Sequence, residues 1–150
     1  MGIQRDPGFL RRLAQRIFTP SRLRILLVDP DRVDARRLAS ALDREHVTTI
    51  VSSAAEAFAT LQTRIPSLVV AELSLPDASG LTLLTALRRH PGAQQIPFLI
   101  LSQRTSLQDK IAAFQAGADD FLVKPVDPEV FAGHVRRLVY FRQLHSSSGS

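Results

Sequence analysis

The chain contains no cysteine, which excludes a disulfide scaffold, a thiolate-bound metal and a cysteine nucleophile. No apolar run comes near the roughly 20 residues that a membrane-spanning helix needs. Ile25 to Val28 is typical of the runs present. No glycine-rich loop follows that first run, because Pro30 stands there instead, so a nucleotide-phosphate cradle is not expected. His46, His90, His134 and His145 lack metal-ligand spacing and are assigned to the surface or to helix ends. No Ser/His/Asp arrangement has the strand and loop context of a nucleophilic triad, and no internal repeat is visible. Acids are nearly missing from the start of the chain: residues 1–24 hold six arginines against Asp6 alone. The whole chain nets +5, so the charges beyond residue 24 balance. The basic character belongs to an extension and says little about nucleic-acid binding by the body.

The 150 residues, 45% hydrophobic and 22% charged, suit one globular domain with a proper core. Residues 1–22 read as a basic amphipathic extension that forms a short helix. Asp6 is placed to cap it and Pro7 suits its first position. Phe9, Leu10, Leu13 and Ile17 share one face, and Thr19-Pro20 ends it. Packing on its own domain, a frayed leader, a partner- or membrane-surface helix and an Arg-rich targeting leader all remain open. Residues 145–150 form a Ser-rich tail.

Between them, over residues 23–144, short apolar strands alternate with helical patterns. The strands are Ile25 to Val28, Val47 to Val51, Leu68 to Ala71, Phe98 to Leu101 and Phe121 to Val123. Helices are expected over 32–44, where Val33, Leu38, Ala41 and Leu42 form the apolar set, and over 54–64, where Ser53 to Glu56 has the form of a capping box. A third carries Leu81, Leu84 and Leu87. A fourth covers 106–116 with Gly117 as its C′ residue. A fifth opens at Asp127-Pro128, runs to about Leu144, and turns Phe131, Val135, Leu138 and Val139 to the core. Such alternation predicts an α/β fold: a doubly wound, five-stranded parallel sheet covered on both faces by five helices. Its site belongs at the carboxyl ends of the strands. Those ends carry Asp29-Pro30-Asp31, Glu72, Ser102 and Lys124-Pro125.

Over residues 24–144 the sequence resembles the receiver domains of two-component response regulators. The resemblance is carried by Ile25-Leu26-Leu27-Val28-Asp29, by Glu72 with Pro76 and Gly80 after it, by Ile100-Leu101-Ser102, and most specifically by Gly117-Ala118-Asp119-Asp120-Phe121-Leu122-Val123-Lys124-Pro125. It implies a flavodoxin-like strand order 2-1-3-4-5 and a cis Lys124-Pro125 bond. In that family an aspartate at the end of strand three accepts a phosphoryl group. Mg²⁺ sits between it and an acidic pair after strand one. A Ser or Thr and a lysine hold the phosphoryl oxygens. The chemistry is one of positioning and charge neutralisation.

Here the acceptor position is Glu72, one methylene longer than aspartate. The second metal-binding acid aligns with Pro30. Gln103 follows Ser102 where the family usually has a small residue. These departures imply a degenerate receiver that is not an enzyme. No resident cofactor is expected, and any Mg²⁺ held at Asp29 and Glu72 is weakened. Asp31 completes the acidic pocket or caps the next helix. Glu72 is expected to pair with Lys124. Ser102, Phe121, Lys124 and Pro125 are the equivalents of the switch and phosphoryl-pocket positions. The implied work is cytoplasmic protein–protein signalling with a partner, or with a second copy, through the fourth helix, fifth strand and fifth helix, where Asp119, Asp120, Arg136 and Arg137 are the candidate contacts. No small-molecule substrate is expected. Two alternatives stand beside this reading: a working Mg²⁺-dependent phosphoacceptor, and nucleic-acid binding by the Arg-rich extension.

Overall fold

The structure is a computed structural model and describes residues 22–42, 44 and 46–148, together with residue 8. The expected basic N-terminal helix, and with it the basis for nucleic-acid binding, lies outside the described residues. Five strands and five helices alternate along the described chain. They are β1 (Arg24–Val28), α1 (Arg32–Ser40), β2 (Val47–Val51), α2 (Ala54–Thr63), β3 (Leu68–Glu72), α3 (Gly80–Arg89), β4 (Phe98–Ser102), α4 (Leu107–Gln115), β5 (Asp120–Val123) and α5 (Pro128–Ser148). The strands form one parallel sheet in the order β2-β1-β3-β4-β5. No helix of the described residues is long and apolar enough to cross a membrane.

Local chemistry explains the helix boundaries. Asp31 caps α1 by accepting the Asp34 N–H at 3.0 Å. Ser53 accepts from Glu56 N–H at 3.1 Å, and the Glu56 carboxylate accepts from Ser52 N–H at 3.0 Å. This is the reciprocal capping box, shifted back by one residue on the carboxylate side. Asp127 accepts from Glu129 and Val130 N–H at 3.0 and 3.1 Å, just where Pro128 leaves no N–H to satisfy. Gly117 takes φ +105° and closes α4, with Ala118 N–H donating to the Ala113 carbonyl at 3.0 Å.

The sheet sorts its side chains by alternation. Ile25 and Leu27 of β1 pack towards α1 and α5, whereas Leu26 and Val28 pack towards α2, α3 and α4. The central strands β3 and β4 are buried along their whole length, as sheets covered on both faces require. Phe131, Val135, Leu138 and Val139 of α5 are buried as expected.

Four expectations need correction. Val33 is 81% exposed, because α1 turns Ala35, Leu38 and Ala39 to the sheet and Val33 lies well round the helix from that face. His46 is buried, only 2% exposed, at the entry to β2, so it is not a surface histidine. The fifth helix continues through Ser148, past Leu144 and into the expected tail. The first helix, conversely, stops at Ser40.

The turn between β3 and α3 is tight. Gly80 N–H donates to the Leu73 carbonyl at 2.8 Å, and a Cβ on Gly80 would sit 2.6 Å from the Glu72 carbonyl oxygen. Backbone on both sides cannot yield cheaply. Gly80→Ala is therefore expected to destabilise the domain by roughly 1–3 kcal/mol, the usual range for overpacking. Urea denaturation measures it.

Candidate functional site at the carboxyl edge of the sheet

Strand register brings the polar residues together. Val28 pairs with Ala71, Glu72 with Leu101, and Ser102 with Val123. Asp29, Glu72, Ser102 and Lys124 therefore fall side by side at the carboxyl edge. The backbone extends this register: Asp29 N–H donates to Val51 C=O at 2.9 Å, and Lys124 N–H to Ser102 C=O at 2.8 Å.

The Lys124 ammonium is the hub. Its Nζ donates to Asp29 Oδ2 at 2.6 Å, lies 3.6 Å from Glu72 Oε1 and lies 3.9 Å from Asp34 Oδ2. The Lys124 side chain is 7% exposed and that of Asp29 is fully buried. The expected Glu72–Lys124 pair is thus present, but it is secondary to Asp29. The physical reason is the extra methylene of glutamate. Glu72 folds back so that Oε2 accepts the N–H of its own neighbour Leu73 at 2.9 Å, which leaves Oε1 at the edge of the lysine's reach.

The titration behaviour agrees with this order of partners. Burial pulls the Lys124 ammonium down, but the hydrogen bond and charge of Asp29, with the charges of Glu72 and Asp34, outweigh it and leave the group above its ordinary value. Burial pushes the Glu72 carboxyl up. The Lys124 charge and the Leu73 N–H oppose this, the Asp29 charge adds to it, and the net shift is upward. A lysine that gains from its surroundings beside a glutamate that loses is what an Asp29-centred pair produces.

Asp31 is not part of the pocket, which corrects one of the expected acids. It is exposed, caps α1, and contributes only its N–H, donated to Asp29 Oδ1 at 2.9 Å. The third carboxylate is Asp34, which sequence reasoning missed. Its one-turn spacing beyond Asp31 was the available signal. Arg37 holds Asp34 at 2.7 Å and also donates to the Val126 carbonyl at 3.0 Å. Ser102 is buried, with its hydroxyl accepting the Arg104 N–H at 2.9 Å, and Gln103 is exposed. Phe121 is half-buried against the core that includes Ile100 and Ala113. The Lys124-Pro125 bond is cis.

Mg²⁺ requires open positions on hard oxygens in near-octahedral geometry. Asp29, the one direct ligand left by Pro30, has Oδ2 engaged by Lys124 and Oδ1 by the Asp31 N–H. Among the described residues no group of three or more His, Asp or Glu is arranged to hold a metal ion. In this arrangement the donors do not fit the ion.

The expected contact residues on β5 and α5 are engaged within the chain. Asp119 accepts from Phe98 N–H at 2.8 Å and from Arg88 Nη2 at 3.1 Å. Arg88 also donates to the Ile96 and Gly117 carbonyls, so it ties α3 to the starts of β4 and β5. Burial lowers the Arg88 guanidinium from its ordinary value, against the opposing pull of Asp119. Asp120 Oδ2 lies 2.6 Å from His134 Nδ1 and 3.0 Å from Arg137 Nη2. Arg136 is exposed. Arg88 was not singled out from sequence, and His134, expected at the surface or a helix end, lies part-buried within α5 beside Asp120.

The comparisons with known proteins identify the family. The family model for the response regulator receiver domain matches residues 25–136. The chain belongs to the response regulator receiver domain family. It is 35% identical over 101 residues to the response regulator Rre1 of Synechocystis, a match covering 67% of this chain and 44% of that protein. It is 36% identical over 128 residues to the transcriptional regulatory protein BasR of Escherichia coli, covering 85% of this chain and 55% of BasR. The chain thus spans about half the length of these two relatives. Among solved structures it is similar to the signal receiver domain of a histidine kinase from Syntrophus aciditrophicus, with TM-score 0.72 and 29% identity, covering 79% of this chain and 90% of that one.

The paired lysine has a pH signature. Its folded value lies above the ordinary 10.5, so its contribution to stability is complete below that value and is lost as pH rises through the folded value. Stability measured by denaturation is expected to fall along this alkaline limb, and Lys124→Met is expected to remove the limb.

Proposed function

We propose that this receiver domain signals by direct protein contact, in the cytoplasm, without taking a phosphoryl group at Glu72. The observation that carries the reading is the engagement of the Lys124 ammonium by Asp29 beside a folded-back Glu72. Phosphoryl transfer to a carboxylate needs that oxygen presented in line, with cationic charge free to stabilise the transferring group. In this geometry one glutamate oxygen, Oε2, is turned onto its own backbone, and Oε1 faces at 3.6 Å a lysine that already neutralises a buried aspartate. Pro30 supports the reading by supplying no acid, and Gln103 by adding bulk beside Ser102.

The partner surface we favour is the face of α4 with β5 and α5. Leu107, Ile111 and Phe114 are 71%, 45% and 49% exposed, and their spacing lines them along one side of α4. Val123 of β5 and Val130 of α5 are also exposed. Asp119, Asp120 and Arg137 already pair within the chain. Contact through the apolar stripe, with these charges at its rim, is therefore the reading we favour, whether the partner is another signalling protein or a second copy.

The test is incubation with acetyl phosphate and Mg²⁺, read by intact mass. The wild type is expected to stay unmodified while the double variant Glu72→Asp, Pro30→Asp gains one phosphoryl group. A wild type that gains the group under the same conditions overturns the proposal.

A further inference from the structure

We infer that the Lys124 ammonium is the resident cation of the acidic pocket, held there by its hydrogen bond to Asp29 with Glu72 and Asp34 of α1 adding charge at longer range, and that it closes the pocket to divalent cations. The inference deepens the reading of the site as one that works without phosphorylation, and rests on it. Three carboxylates from three separate elements surround one Nζ: Asp29 beyond β1 at 2.6 Å, Glu72 at the end of β3 at 3.6 Å and Asp34 on α1 at 3.9 Å. An ammonium is a compact point charge with three donors. Among the described residues it is placed where the pocket's negative charge converges.

Two features hold it in place. The side chain of Lys124 is 7% exposed, so leaving the pocket would uncover a buried aspartate. The surrounding acids are themselves braced. Arg37 binds Asp34 at 2.7 Å and the Val126 carbonyl at 3.0 Å. Helix α1 and the segment after β5 are therefore joined twice, once through Lys124 and Asp34 and once through Arg37 and Val126. Arg37 also leaves Asp34 with its charge already shared. A divalent ion entering the pocket would meet an ammonium at contact range and find both oxygens of Asp29 occupied. Like charges at that distance in a poorly solvated pocket repel strongly. To bind, the ion must expel the lysine.

The experiment is a titration of the ¹⁵N-labelled full chain with Mg²⁺ alone, followed by amide spectra. The wild type is expected to show no saturable movement at Asp29, Glu72 or Lys124. Lys124→Gln, which removes the charge on a side chain one atom shorter and frees the three acids to close on an ion they are not arranged to hold while the lysine is seated, is expected to gain saturable movement at Asp29, Asp34 and Glu72, with affinity at least about tenfold above any wild-type response. Equal affinity in the two chains overturns the inference, and so does a folded Lys124→Gln that ignores the ion. Should that variant fail to fold, the wild type alone decides. Movement of the Lys124 ε-methylene signal on adding Mg²⁺ overturns the inference, and its stillness supports it. The titration contains no phosphodonor. A wild type that binds Mg²⁺ yet resists acetyl phosphate would end this inference and leave the proposed function standing. A wild type that ignores Mg²⁺ yet becomes phosphorylated would do the reverse.

Discussion

The site is organised around one buried ion pair, Lys124 with Asp29. A fully buried carboxylate is costly unless a charge of opposite sign meets it at hydrogen-bond distance. Here the two are 2.6 Å apart and nearly inaccessible to water. Breaking such a pair from one side typically costs about 3–5 kcal/mol, because the other charge is left stranded. The arrangement of the neighbouring groups follows from it. Asp31 spends its N–H on the far oxygen of Asp29, Glu72 is left as the outer partner, and Asp34 is drawn towards the remaining side of the ammonium. The same pair fixes β5 against β1 across the two strands that separate them in the sheet.

The family to which the chain belongs places a reactive carboxylate and a metal at this edge. Here the fold and the lysine are kept while the residues that would use them are altered, and the alterations reinforce one another. The longer glutamate returns to its own backbone, which weakens its claim on the lysine. The lysine therefore commits to Asp29, the acid that would otherwise hold a metal. Pro30 removes the neighbouring ligand that could compete. Under the proposed function each change makes the others less costly, since a phosphoacceptor geometry need not then be maintained. The surface of α4 is free of such constraint and carries its large apolar residues outward.

Much of this was legible in the chain. The five apolar runs fall on the five strands, because a parallel sheet covered on both faces demands continuous apolar sequence. Gly117, Ser53 with Glu56, and Asp127-Pro128 mark helix ends through chemistry that is local. The edge residues could be named, since register in a parallel sheet aligns the strand ends. Partner choice within the edge was not legible. Whether Lys124 reaches Glu72 or Asp29 depends on a side-chain torsion and on the Leu73 N–H, neither of which has a sequence pattern. Asp34 was hidden because its place in the first turn of α1 has an ordinary explanation as a helix-terminus acid. Val33 was misplaced because an apolar residue at approximate helical spacing looks like core until the face of the helix is fixed by Ala35 and Leu38. His134 and Arg88 act through tertiary contacts with Asp120 and Asp119, which sequence spacing does not encode.

The arrangement of this edge turns on which carboxylate holds Lys124. The direct measurement is the titration of the Lys124 side-chain amine by heteronuclear NMR in the wild type, in Asp29→Asn and in Glu72→Gln. The wild-type amine should titrate above the ordinary lysine value, fall markedly in Asp29→Asn, and fall by less in Glu72→Gln. An amine that titrates at or below the ordinary value in the wild type, or that falls further in Glu72→Gln than in Asp29→Asn, would contradict the account.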